Sequence, residues 1–215
     1  MSYGKTHKGR IITCDADVAE GAAWLRGQDA RWAAALKKCG PLPLRRKPDG
    51  FAELLSAIVS QQVSIASAAA IWARMVEAGL SDEDAVASAG EDALRQVGLS
   101  RQKIRYAQAL AAARLDYDAL RQADTQTVVK NLTEVPGIGV WTAEIYAMFS
   151  LGHADVFAPG DLALQEAARG LFDLPDRPKE KALRDMAEAW SPWRSVAART
   201  LWAYYRVMKN REGVR

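Results

Sequence analysis

Leu132-Thr133-Glu134-Val135-Pro136-Gly137-Ile138-Gly139-Val140-Trp141-Thr142-Ala143 is the stretch on which the reading of this chain turns. Pro136 fixes φ and suits the first corner of a tight turn, and Gly137 can take the positive φ that the second corner of a type II turn demands. Helical patterns flank the turn on both sides, and the second of these helices is expected to begin at Gly139. With no side chain on either glycine, the amides of Gly137, Gly139 and Val140 can approach a phosphate at the positive end of that helix. Such contacts hold a nucleic-acid backbone without reading its sequence. A Pro-Gly turn is equally one of the commonest connections between helices that bind nothing, so the turn alone leaves both readings open.

Outward from the turn, alanine is abundant, β-branched alternation is nearly absent, and apolar residues recur at helical spacing, as at Leu25, Trp32 and Leu36. The spacing predicts an all-α protein. A first helix is expected from Asp15 to Lys38, ending at Gly40-Pro41, followed by an extended linker through Pro43, the basic run Arg45-Arg46-Lys47 and Pro48. A second starts after Asp49 with Phe51, Leu54, Leu55, Ile58 and Val59 on one face. The polar patch Ser60-Gln61-Gln62-Val63-Ser64 then interrupts the stripe, so either the helix bends or a new one opens at Ser64 as N-cap and runs from Ile65 to Met75. Further helices are expected over Ser81 to Ala89, Glu91 to Val97, Arg101 to Leu115, Asp124 to Leu132 and Val140 to Leu151. The C-terminal part adds Leu162 to Phe172, Pro178 to Trp190 and Pro192 to Asn210.

The 215 residues are 49% hydrophobic and 26% charged, enough for a real core in one domain or two packed ones. No apolar run approaches the ~18 residues a membrane span needs, and the basic start, Met1 to Arg10, precedes no signal-peptide apolar core. An intracellular protein with no membrane segment is expected, cytoplasmic and with the nucleoid if the source is bacterial. Cys14, Cys39, His7 and His153 have no metal-ligand spacing, so no zinc or iron-sulfur site is expected, and the cysteines are read as reduced, partly buried thiols. The net charge of +3 is mild. Its basic clusters (Lys5, Lys8, Arg10; Arg45-Arg46-Lys47; Lys209, Arg211, Arg215) read as solvated surface unless something else supports them.

The stretch from Leu132 to Ala143 resembles the helix-hairpin-helix signature, and Asp155-Val156-Phe157-Ala158-Pro159-Gly160-Asp161 resembles the Gly/Pro-Asp loop that follows the hairpin in helix-hairpin-helix DNA glycosylases. Within that superfamily, Ser60 to Ser64, Gly98-Leu99-Ser100-Arg101-Gln102-Lys103, and Trp190-Ser191-Pro192-Trp193-Arg194-Ser195 with Trp202 are similar to the 3-methyladenine DNA glycosylase II family. The resemblance covers Phe51 to Tyr205. It implies a two-lobed all-α fold with the active-site cleft between lobes: a central lobe over residues 50–155 and a second built from 1–49 and 156–215. The larger bacterial members carry an additional N-terminal α/β domain, and with about fifty residues before Phe51 this chain is expected to lack it.

The resemblance implies roles residue by residue. Asp161 matches the catalytic aspartate, whose carboxylate stabilises an oxocarbenium-like sugar and orients water as an N-glycosidic bond breaks; spacing alone makes it a helix N-cap. Trp141 stands where members that also cut the strand hold a lysine that forms a Schiff base, which implies a monofunctional hydrolase. The four-cysteine cluster of the endonuclease III branch is absent as well. Gln62 matches the wedge that fills the gap left by a flipped base; without the resemblance it is a polar residue at a helix break. Trp141 and Trp202 match pocket tryptophans whose electron-rich faces suit cationic alkylated bases, although core packing is the expectation for most of the seven tryptophans. Some members carry a tyrosine where Ile145 stands here, with Tyr146 beside it, so both are assigned to the pocket. Gly137, Gly139, Val140, Thr142, Arg101 and Lys103 are expected on the DNA backbone. No cofactor is required, and the carbonyls of Thr133, Val135 and Gly137 are implied to hold a Na+ or K+ ion. The expected partner of this monomer is double-stranded DNA with damaged, alkylated bases. A non-catalytic DNA-binding module and a glycosylase for another lesion are the competing readings.

Overall fold

The computed structural model describes residues 9–212. Of the groups named above, Lys5, His7, Lys8 and Arg215 lie outside the described residues. Thirteen α-helices, one π-helical turn and one 3-10 turn make up the named elements among the described residues. The β-pairing among them is a single antiparallel bridge between Ile11 and His153. The all-α expectation holds, and no helix is long and apolar enough to cross a membrane. The chain forms two units, Lys47–Tyr146 and the described residues on either side of it.

The Lys47–Tyr146 unit contains α3 (Phe51–Ser60), α4 (Ile65–Glu77), α5 (Glu83–Ser88), α6 (Glu91–Gln96), α7 (Arg101–Ala113), α8 (Tyr117–Gln122), α9 (Thr125–Thr133) and α10 (Val140–Tyr146). Helix α7 is its hub, packing on α3, α5 and α6. Ile104, Ala107, Leu110 and Ala111 on α7 are buried, as are Leu54, Leu55, Ile58 and Val59 on α3, and the packing of the two helices gives the stripe read from the sequence its partner. Five of these helices begin on side chains that accept from their first amides: Ser64 from Ser67, Asp82 from Asp84 and Ala85, Ser100 from Lys103, Asp116 from Ala119 and Asp124 from Thr127. Each such cap stabilises by about 1 kcal/mol. Helix α8, six residues that bury only Leu120, escaped the sequence reading.

The other unit holds α1 (Asp15–Gln28), α2 (Ala30–Cys39), α11 (Leu162–Phe172), α12 (Glu180–Ala187) and α13 (Arg194–Glu212). Helix α13 packs on α1, α2 and α11. Trp32 and Trp190 meet edge to face with centroids 5.2 Å apart, and Phe157 and Phe172 close the same aromatic cluster. The single helix expected from Asp15 to Lys38 is instead two. Asp29 adopts extended backbone (φ −156°, ψ 135°) and caps α2 by accepting from the Arg31 amide at 2.8 Å. An aspartate after Gly27-Gln28 favours that local bond over helix continuation. Cys14 is exposed and Cys39 half-buried, and both are free.

The unit boundaries fall at Arg46/Lys47 and Tyr146/Ala147, where the sequence placed them at 49/50 and 155/156. The shift of the second has a physical cause. The segment after Tyr146 is hydrogen-bonded to the chain start and to α13: Ile12 N donates to Gly152 O (2.7 Å), Ala154 N to Arg10 O (3.0 Å), and Ser195 N to Ala154 O (2.9 Å).

Gly21 on α1 shows how tightly α13 is seated. A Cβ there would lie 2.6 Å from both the Trp193 ring and a Val196 methyl. Gly21→Ala is therefore expected to destabilise the fold by about 1–3 kcal/mol through overpacking, despite alanine's better helix propensity. A denaturant midpoint equal to that of the wild type would show that Trp193 yields freely.

Candidate active site and nucleic-acid interface

The hairpin forms as the sequence requires. Helix α9 ends at Thr133, the Ile138 amide donates to Val135 O at 3.0 Å, and Pro136 and Gly137 occupy the corners, with Gly137 at φ +97°. A Cβ on Gly137 would also overlap the Tyr106 ring on α7, so glycine is required there for conformation and for space alike. Gly139 differs: its Cβ would meet nothing within 4 Å. Its carbonyl accepts from Ala143 N (3.0 Å), so Gly139 caps α10, which starts at Val140. None of the backbone bonds of the turn among the described residues takes up the amides of Gly137, Gly139 or Val140, and Val140 is exposed. This is a surface a phosphate can approach.

The polar patch Ser60 to Ser64 proves to be the end of α3, a turn, and the cap of α4. Gln61 reaches back with its side chain, Nε2 donating to Gly137 O at 2.9 Å, and so ties this turn to the hairpin. Gln62 is exposed at its apex in the left-handed region, φ +55°, which costs about 1 kcal/mol for a residue with a Cβ. A cavity of about 230 Å³ lies behind it, lined by Gln62, Val63, Gly98, Ser100, Gln102 and Tyr106 among others.

The remaining expectations in this unit divide. Arg101 is exposed at the start of α7, as a phosphate contact must be. Lys103 is not: it is 9% exposed, its Nζ donates to Val59 O at 2.6 Å, and burial lowers its pKa. It satisfies the last turn of α3 instead of reaching for DNA. Trp141 is 48% exposed on the first turn of α10, whereas Thr142 behind it is buried, which leaves its side chain no access to DNA. Ile145 is half-buried. Tyr146, assigned to the base pocket, is 3% exposed; its hydroxyl accepts from the Gly50 amide at 2.8 Å, and burial pushes its pKa up to about 12. It is a packing residue that fixes the start of α3. Of the three carbonyls implied for a cation, Val135 O already accepts from Ile138 and Gly137 O from Gln61. Each keeps a second lone pair, and a set of backbone carbonyls can coordinate a monovalent ion such as K+.

Asp161 belongs to the other unit. It is half-buried and caps α11, Oδ1 accepting from Ala163 N (2.9 Å) and Leu164 N (3.1 Å). Its amide donates to Ala158 O, and buried Gln165 donates through Nε2 to Pro159 O at 2.8 Å, so the loop is held from both sides. At the loop's other end Asp155 receives Arg194 Nε on Oδ1 (2.6 Å) and Nη2 on Oδ2 (3.0 Å), and Ser191 Oγ also donates to it. Trp202 is half-buried on α13, its ring 5.7 Å from Phe149. Phe149 comes from the π-helical turn Ala147–Leu151 and lies under the guanidinium of Arg199. Arg199 is 1% exposed, held by Leu44 O and by Ser195, and burial pushes its pKa down to about 10.

Sequence reasoning missed Gln61, Tyr106, Arg199 and the Asp155–Arg194 pair as supports of the site. Gln61 and the Asp155–Arg194 pair carried a signal, since these residues lie inside motifs already singled out.

Residues 55–192 match the family model described as HhH-GPD superfamily base excision DNA repair protein. A crystal structure of DNA-3-methyladenine glycosidase from Bacillus halodurans is 34% identical, with 94% of each chain covered and a TM-score of 0.80. The Schizosaccharomyces pombe 3-methyladenine DNA glycosylase, solved in complex with abasic DNA, is 26% identical over 88% of this chain and 97% of its own, with a TM-score of 0.72. An alkylbase DNA glycosidase-like protein of the same yeast is 25% identical over 87% of this chain and 94% of its own.

The two hairpin glycines make opposite predictions. Gly137→Ala should lower thermal stability, because it meets both a forbidden φ and Tyr106. Gly139→Ala should leave the melting temperature near wild type while weakening DNA binding, since its methyl fills only the space a phosphate needs. Calorimetry and DNA titration on both variants check this, and intact DNA affinity in a folded Gly139→Ala protein would remove the hairpin as the docking point.

Proposed function

The chain belongs to the HhH-GPD superfamily of base excision DNA repair proteins, and from that premise we propose that it hydrolyses the N-glycosidic bond of alkylated purines, of the 3-methyladenine and 7-methylguanine type, in double-stranded DNA. The observation that carries the reading is Asp161: a carboxylate fixed through Oδ1 by two helix amides, at the position matching the family's catalytic aspartate. Backbone amides of the hairpin grip the phosphates, helped by Arg101. The target nucleotide is turned out of the stack, which costs a few kcal/mol and least for a damaged base, and Gln62 enters the space it leaves. As the bond between C1′ and the base nitrogen breaks, positive charge grows on the sugar. The Asp161 carboxylate stabilises that charge and takes a proton from the attacking water, while the base departs with the bonding electrons. An abasic site remains.

Trp141 and Trp202 offer electron-rich faces that favour a cationic alkylated base. Trp141 carries no amine, so the enzyme is monofunctional. The carbonyls of Thr133, Val135 and Gly137 would hold a Na+ or K+ ion, which would supply positive charge at the hairpin. The protein acts as a monomer wherever its DNA lies, the cytoplasm in a bacterium.

Release of 3-methyladenine from methylated DNA tests the reading. Asp161→Asn should slow single-turnover release at least about a hundredfold, yet fold normally, because asparagine caps a helix as well as aspartate does. Equal release by both proteins would remove Asp161 from the chemistry. Borohydride should trap no covalent adduct with DNA, and robust trapping would overturn the monofunctional assignment.

A further inference from the structure

Ile65 is 91% exposed, more than any other large apolar side chain noted as exposed among the described residues, and Val63 two positions earlier is also exposed. Neither can retreat inward without local loss. Ile65 is the first residue of α4, whose cap depends on Ser64 Oγ accepting from Ser67 N at 3.1 Å, with Ser67 Oγ 2.9 Å away. On its other side the backbone is pinned by left-handed Gln62 and by the Gln61 side chain on Gly137 O. The turn therefore holds two apolar side chains outward at a fixed offset from the hairpin amides.

We infer that Ile65, with Val63 beside it, is the apolar half of the DNA wedge and packs against the nucleotide opposite the flipped base. The inference rests on the glycosylase reading above. Gln62 can offer hydrogen bonds to the orphaned base, but its amide covers little of the apolar surface that unstacking exposes. Duplexes opened from the minor groove are propped by aliphatic side chains between base steps, and an isoleucine presented beside the polar wedge supplies that surface. The occupant of this patch is DNA because the patch is bonded, through Gln61, to the hairpin that carries the superfamily's name. An unrelated protein partner is the alternative.

The test compares binding to two duplexes, one intact and one carrying a tetrahydrofuran abasic analogue. Wild type should prefer the abasic duplex. Ile65→Ala should reduce that preference about fivefold to tenfold, with unchanged melting temperature and unchanged affinity for intact duplex, and Ile65→Leu should restore it. When the opposing nucleotide is abasic too, wild type and Ile65→Ala should bind alike. An unaltered preference in Ile65→Ala overturns the inference, as does an equal loss on both duplexes, which would make Ile65 part of a general contact surface. A wild type with neither abasic preference nor 3-methyladenine release fails at the earlier step, and the inference falls with the glycosylase reading.

Discussion

Gly137, held left-handed against the ring of Tyr106, is the constraint on which the DNA-facing side of the Lys47–Tyr146 unit depends. The turn cannot open outward without losing the Ile138 to Val135 hydrogen bond, and it cannot accept a side chain without displacing α7. Once it is closed, its carbonyl points where Gln61 can reach it, and the amides of Gly139 and Val140 are left at the start of α10. The Gln61 bond transmits the position of the hairpin to the α3–α4 turn. The positions of the hairpin amides and of the Gln62 apex are thereby set by one glycine and one amide. The left-handed Gln62 at the apex, a conformation that costs about 1 kcal/mol, is held in place by bonds on either side of it.

In the other unit, on the proposed reading, one carboxylate has two duties. Asp161 caps α11 through a single oxygen, which fixes the side chain without surrounding it. A catalytic carboxylate that relied on its reaction partner for orientation would have to be ordered at each turnover, and here that order is built in by the helix. The loop bearing it cannot drift. Arg194 and Ser191 hold Asp155 at one end, Gln165 holds Pro159 near the other, and the bonds of Gly152 and Ala154 to the chain start fix the approach. The π-helical turn just before this loop brings Phe149 against Trp202 and beneath Arg199, a buried cation satisfied by carbonyls and a hydroxyl instead of a carboxylate.

Most of the helical content and the hairpin were legible because they obey local rules: apolar periodicity, Pro at a first corner, glycine at a positive φ, Ser or Asp before a helix. The failures share a cause. Asp29 splits the first helix because one side-chain bond outweighs a weak continuation, and periodicity cannot see it. Tyr146 and Lys103 were read as functional from their places in a motif, yet Gly50 N and Val59 O, distant in sequence, claim their polar atoms. Gln61 is the converse case, a residue passed over beside its neighbour Gln62, whose importance comes from a carbonyl 76 positions away. Sequence reveals what a residue type can do, whereas long-range hydrogen bonds decide which capacity is used.

Tryptophan at position 141 links mechanism to substrate. On the proposed reading, with no amine there, the enzyme has no lysine-based covalent route, and bond cleavage leans on the leaving group and on a carboxylate that stabilises charge without forming a bond. Ring alkylation of a purine makes the base cationic, which turns it into a better leaving group before any protein group acts on it. The same positive charge is what an exposed aromatic face attracts. An undamaged base gains from neither effect and still carries the full cost of leaving the stack. On the proposed reading, discrimination then comes from the chemistry of the lesion itself more than from a pattern of donors and acceptors.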